Sequence, residues 1–247
     1  MKKIGWFIYL FIFIFAGLMK SHGQSKAIDS IRLVIKKLPD DTNKVNSLLT
    51  LSNYLWGKNL IAEASQSCHQ AIDLSGKIGF AKGKTTGYIN LGNFSLSGND
   101  YIMAKLFFDS SLNIALESNN KNEIGFAYSA LGTMYNWEDN YAKSLEYHHK
   151  ALKLFEESHF IMGIGLAYQE IGYIYYNQDQ FEDALKNHLA SLIEFRKTGN
   201  QGIIAYGLKN TGDAFLKTGN YRQAFINLDS ALKTFKKSGN ELSWEAS

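Results

Sequence analysis

Four groups of residues in this 247-residue chain have types and spacings that invite a chemical reading. His148-His149 offers two imidazoles for a metal. On a helix, adjacent residues diverge by about 100° and do not chelate one ion. Cys68 is the only cysteine. A nucleophilic thiol needs a basic partner that holds it as thiolate, and the repeat spacing sets none near it. Gly163-Ile164-Gly165 has the look of a dinucleotide loop, but no strand precedes it. Asp40-Asp41 and the scattered carboxylates suit helix caps and solvated faces. No Ser-His-Asp set, paired-carboxylate site or metal cage emerges. The reading is a non-enzyme, with no catalytic residue, no cofactor site and no metal site.

The elements that must position these residues repeat. Gly92, Gly132, Gly172 and Gly212 recur every 40 residues. Nine residues after each comes Tyr101, Tyr141, Phe181 or Tyr221, and twelve after comes Ala104, Ser144, Ala184 or Ala224. Within Tyr128 to Glu157, apolar or small residues fall at Tyr128, Leu131, Gly132, Tyr135, then Tyr141, Ser144, Leu145, His148, Ala151, Leu152, Phe155. Each half has the i, i+3, i+4, i+7 spacing of a helix with one buried face. The turns between carry Asn99, Asp139, Asp179 or Gly219, types that tolerate a left-handed backbone. Each unit is therefore helix, tight turn, helix. A mid-helix glycine costs about 1 kcal/mol against alanine. Its recurrence predicts close approach of the paired helices, with the small column of Ala104, Ser144, Ala184 and Ala224 as the matching contact.

The pattern Tyr128-x-x-Leu131-Gly132-x-x-Tyr135, then Ser144, His148 and Ala151, resembles the tetratricopeptide repeat. Tyr168-x-x-Ile171-Gly172-x-x-Tyr175, then Ala184, His188 and Ser191, fits the same pattern. The chain departs from it in two ways. The usual phenylalanine of the second helix is kept only at Phe108, with Cys68, His148, His188 and Leu228 elsewhere, and no proline closes a repeat. A weaker unit with Leu48, Leu51, Ser52, Leu55, Ala64 and Cys68 precedes the four. HEAT or armadillo arrays have similar periods but lack the paired glycine and alanine columns. The expected class is all-α, a right-handed α-α superhelical solenoid of helix-turn-helix repeats. The expected organisation is a leader over 1–23, a capping helix over 24–39, five repeats over 40–237 and the start of an incomplete sixth over 238–247.

The resemblance also implies a function. In such proteins the first helix of each unit lines a concave groove where extended peptides lie. The corresponding residues here are Ile89, Ser129, Gln169 and Lys209; Asn93, Thr133, Tyr173 and Asp213; Leu96, Asn136, Tyr176 and Leu216; and Ser97, Trp137, Asn177 and Lys217. These columns vary where the core columns do not. The candidate site is Asn93, Thr133, Asn136, Trp137, Gln169, Tyr173, Tyr176, Asn177, Lys209 and Asp213, aromatic and amide groups suited to peptide backbone or sugar. The expected role is an interaction or scaffold module for a protein or peptide. The layout is also similar to the sensor regions of bacterial tetratricopeptide-containing histidine kinases and regulators, so the input half of a signal-transduction protein is the rival. The second helix at the C-terminal edge, Tyr221 to Lys237, would leave Phe225, Leu228, Leu232 or Phe235 partly uncovered, which predicts either that the native chain continues past Ser247 or that this edge pairs with another copy or a partner.

Composition adds one exclusion. Residues 1–23 hold three of the 26 Lys and Arg and none of the 23 Asp and Glu, so the remainder balances at 23 of each. No basic stripe for nucleic acid is visible. Lys2 and Lys3, the apolar run Ile4 to Met19, and Ser21-His22-Gly23 form a secretory leader. Export to the periplasm or beyond follows, with a membrane anchor through residues 4–19 as the other reading of the run; a span needs about 20 apolar residues. N-terminal sequencing of exported protein should find a first residue near Gln24. A soluble cytoplasmic chain still beginning at Met1 would refute the leader.

Overall fold

A computed structural model of the chain describes residues 28–237. The expected leader, the first four residues of the capping helix and the sixth-unit residues 238–247 lie outside the described residues. Among the described residues all regular structure is helical. Helix α1 covers 28–37. It is followed by α2 (Thr42–Gly57), α3 (Ile61–Ile78), α4 (Ala81–Ser97), α5 (Tyr101–Ser118), α6 (Lys121–Trp137) and α7 (Tyr141–Glu157). Then come α8 (Ile161–Asn177), α9 (Phe181–Thr198), α10 (Gln201–Lys217) and α11 (Tyr221–Lys237). The fold is an all-α solenoid of helix-turn-helix repeats.

Two compact units divide the chain, one up to Gly83 and one from Lys84. In the first, α2 packs on α3 around Val45, Leu48, Leu55, Ala64 and Cys68, with Ile28 and Ile35 of α1 also buried. In the second, α6 packs on α7, α8 on α9 and α10 on α11, while α5–α6, α7–α8 and α9–α10 contacts join successive repeats. Turn chemistry sets where each helix stops. Asn59, Asn99, Asp139 and Asp179 have φ between 55° and 60°, the left-handed conformation, and Gly219 has φ 77°. The next residue opens the second helix: the side chains of Asp100 and Asn140 accept from the backbone N–H of Met103 and Lys143. Asp41 does the same for Asn43 and Lys44 at the start of α2.

The 40-residue glycines meet the small column through the backbone and a larger side chain through the missing Cβ. A Cβ on Gly132 would stand 2.6 Å from Cδ2 and Nε2 of His148, and one on Gly172 would stand 2.7 Å from Nδ1 of His188. Gly92 meets the ring of Phe108 in the same way, and Gly212 meets Leu228. Each glycine is thus a socket for the side chain sixteen residues on. The small column has a different task, which is to bring the backbones together. Ser144 Oγ donates to the carbonyl of Gly132 at 2.8 Å. In the first unit both roles change at once. Ser52 replaces the glycine, Cys68 replaces the ring, and Ser52 Oγ lies 2.9 Å from Cys68 Sγ while donating to the Ala64 carbonyl at 2.7 Å. A second tier of sockets lies a turn or two earlier, where a Cβ on Gly125 would stand 2.6 Å from the Phe155 ring and one on Gly165 2.5 Å from Phe195. Gly163-Ile164-Gly165 therefore lies inside α8 and serves packing.

Gly132→Ala should lower stability by about 1–3 kcal/mol through overpacking against His148. Gly76→Ala, on α3 where a Cβ meets nothing within 4 Å, should raise it by up to about 1 kcal/mol through helix propensity. Denaturant unfolding of both variants checks this, and shifts in the same direction would refute the socket.

Candidate binding groove

The candidate residues stand on the first helix of each pair, α4, α6, α8 and α10. All ten remain at least partly open to solvent. Trp137 and Tyr173 are each 52% exposed, unusual for large aromatics in a chain that buries Phe108, Phe155 and Phe195 almost wholly. One member of the wider columns is not on this surface. Leu96, in the column of Asn136 and Tyr176, is 3% exposed and belongs to the core with Ala104 and Phe108.

Several of the ten are tied together. Asn177 Nδ2 donates to Asn136 Oδ1 at 3.4 Å across neighbouring repeats. The Tyr176 ring packs edge-on to Phe181 at 5.4 Å, and Lys217 Nζ lies 5.9 Å and 5.5 Å from the two ring centres. Lys209 pairs with Asp213 at 3.7 Å. Burial raises the Asp213 carboxyl pKa, with Lys209 acting in the other direction. Burial also raises the Tyr176 hydroxyl, helped by the charges of Asp213 and Asp179. Thr133 Oγ1 donates to the Ser129 carbonyl at 3.1 Å. Asn93, half-buried on α4, stands outside this linked set. The face is therefore close to neutral: its ion pair is internal, and Lys217 is engaged with rings. It can offer amide hydrogen bonds and flat aromatic area. Among the described residues, no three of His, Cys, Asp and Glu come together as a metal site. No helix there is long and apolar enough to cross a membrane.

Sequence reasoning missed two concavities in the first unit. A cleft of about 600 Å³ is lined by Arg32, Lys36, Lys44, Lys77, Asp40 and Asp73 over an apolar floor. Another of about 700 Å³ lies between α1 and α2, walled by Ile31, Val34, Leu38, Leu51 and Tyr54. Both depend on how α1 seats, which no repeat column encodes.

No protein-family profile matches the chain, and no curated protein matches it in sequence. Solved structures match its fold. BtubC from P. vanneervenii aligns with a TM-score of 0.61 at 15% identity over 88% of this chain and 90% of that one. A Rap protein complexed with Competence and Sporulation Factor aligns at 0.59 and 16% identity, over 90% and 74%. The signal-transduction ATPase PH0952 from Pyrococcus horikoshii, which carries a tetratricopeptide repeat sensor, aligns at 0.57 and 14%, over 87% and 36%. The fold is that of the tetratricopeptide-like repeat proteins. At these identities the likeness concerns the fold alone.

Two tetratricopeptide-like units place a histidine behind this face. His148 is fully buried and His188 is 3% exposed. His148 Nδ1 lies 3.3 Å from Oγ of Ser129 in the groove column, while His148 Nε2 and His188 Nδ1 have no hydrogen-bond partner. Burial lowers both imidazoles to a pKa of about 4, with the charge of neighbouring His149 adding to the effect at His148. His69 and His149, one position on, are exposed. Glu170 is half-buried as a residue. Its carboxyl is nonetheless shielded enough to rise to about 7, a hydrogen bond with Gln169 acting the other way.

The signs follow from linkage. A histidine held at about 4 when folded and near 6.5 when unfolded takes up its proton in the unfolded chain first. Its contribution is present above the unfolded pKa and is lost as pH falls, by about 3 kcal/mol per residue once both states are protonated. Glu170 acts oppositely, since the folded chain keeps a proton that the unfolded chain loses as pH rises. His148→Phe, which gives Gly132 the partner that Gly92 already has, should flatten the loss of stability between pH 7 and pH 5. Urea unfolding at several pH values measures this, and an unchanged slope in the variant would refute the neutral, buried imidazole.

Proposed function

We propose that the chain is an exported, non-catalytic tetratricopeptide-repeat interaction module that binds an extended peptide or protein segment along the first helices of its second unit. The observation that carries this reading is the pairing of exposed Trp137 and Tyr173 with the linked amides of Asn136 and Asn177 on one face. Buried packing would not tolerate such residues, and rigid aromatics beside amides suit a backbone ligand. The self-neutralised Lys209–Asp213 pair favours a segment without dense charge. A Rap protein of the same fold is complexed with a factor, which supports the same use of the fold here.

A second reading has its own support. A leader followed by 40-residue repeats also suits the input half of a bacterial signalling protein, and the sensor of PH0952 shares the fold. Both readings use the same face, and they differ in what the bound state would drive.

Pull-down from an envelope extract, with mass spectrometry, tests the shared claim. Tyr173→Ala combined with Tyr176→Ala should reduce partner recovery at least tenfold. Ile102→Ala, 84% exposed on α5, should leave it unchanged. Equal recovery by the double variant would place the ligand elsewhere.

A further inference from the structure

The charged cleft of the first unit is built from one stripe of each of three helices. From α1 come Arg32, Ile35 and Lys36, which share a helical face. From α2 come Lys44, Leu48 and Leu51, and from α3 come Asp73, Leu74 and Lys77. Ile35, Leu48, Leu51 and Leu74 are each at most 8% exposed, so the floor is closed and apolar. The volume of about 600 Å³ is that of a small-molecule site.

The two ends of the cleft differ in charge. At one end Arg32 is already neutralised. Its Nη2 donates to Glu63 Oε2 at 2.5 Å, and Asp29 lies 3.7 Å from Nη1. At the other end Lys44, with a side chain 19% exposed, is fixed by Asp40 at 2.7 Å and by the Leu38 carbonyl at 3.2 Å. The Lys44 hydrogen bond and charge hold the Asp40 carboxyl below its usual pKa, and the charge of Lys77 adds to them. Lys36 stands one turn beyond Arg32 on α1, towards this end. Neither Lys36 nor Lys77 has an ion pair among the described residues. Asp73 lies one turn before Lys77 on α3. Three lysines against two aspartates leave a surplus of one positive charge, beside the positive end of the α2 dipole.

We propose that this cleft binds a small alkyl carboxylate, its head at the lysine end and its chain along the apolar floor. One anionic charge matches the one surplus positive charge. A phosphate dianion would call for a free guanidinium fork, and the arginine of the cleft is engaged by Glu63. A neutral apolar molecule would cover the floor but leave the lysine surplus unanswered. The cleft draws no residue from the groove of the second unit.

Isothermal titration calorimetry of decanoate with the full chain tests this. Saturable binding is expected, about tenfold weaker when Lys36→Gln is combined with Lys77→Gln, and unchanged in Lys153→Gln on α7. Decanol should bind about tenfold more weakly than decanoate. Lys36 and Lys77 are exposed, so the double variant should keep the melting temperature of the parent chain. Equal affinity for decanoate in parent and double variant, or decanol binding as tightly as decanoate, overturns the proposal and makes the apolar groove between α1 and α2 the seat. Acetate binding as tightly as decanoate overturns it too, because the apolar floor would then contribute nothing. So does the absence of saturable binding.

Discussion

The structure depends on a missing Cβ. The four pairs of the 40-residue glycines close because a glycine on the first helix leaves room for a side chain sixteen residues on, at distances where a Cβ would clash. That side chain, a ring at Phe108, His148 and His188 and a leucine at Leu228, fills the space and fixes the rotation of one helix against the other. Everything that faces outward from the first helix, including the candidate groove, takes its direction from that fit. Where the glycine is replaced, as at Ser52, its partner shrinks to Cys68, and a hydroxyl–thiol contact stands in for the ring. The two positions behave as a single structural unit.

This constraint explains the distribution of variability. Socket and backbone-contact positions hold nearly fixed small residues from unit to unit, while the position that fills the socket changes among Cys68, Phe108, His148, His188 and Leu228. The outward positions of the same helices carry serine, glutamine, lysine, tyrosine, asparagine and tryptophan at equivalent places. A rigid scaffold with freely chosen outward groups is the arrangement that recognition of a ligand requires. The imidazoles in two successive sockets are a compromise between these regimes. They pack as rings, yet they carry nitrogen atoms that the interior leaves without partners, so the middle pairs are held together less securely in acid than the pair built on Phe108.

Much of this was legible in the residues. The left-handed turn positions were marked by Asn, Asp and Gly at Asn99, Asp139, Asp179 and Gly219, and the helices begin and end there. The glycine column was readable as a close approach to the small column, as the Ser144–Gly132 contact has it, but the side chain that fills the glycine's open space was not. Residues twelve and sixteen positions on share one face of the second helix, so the period cannot rank them; only the volume of a ring, which must go somewhere, distinguishes Phe108 from Ala104. The outward face was readable at Tyr173 and Trp137. At Leu96 it was not, because a leucine in an outward column turns inward when a neighbouring core has space for it. The Asn136–Asn177 contact crosses from one column to the next, and repeat arithmetic aligns only residues within a column.

Because sockets join only near neighbours, cohesion runs along the chain one pair at a time and has no single centre. Such an array opens by segments, and its least secure pair sets the boundary between segments. The histidine sockets lie in the α6–α7 and α8–α9 pairs, which also carry Trp137, Tyr173 and Tyr176. In acid, slow amide exchange should therefore be unevenly distributed, persisting longer around Phe108 than beneath the aromatic face. The surface best equipped to hold a ligand rests on the part of the scaffold most able to yield, so a bound segment that spans these two pairs would also act as their brace.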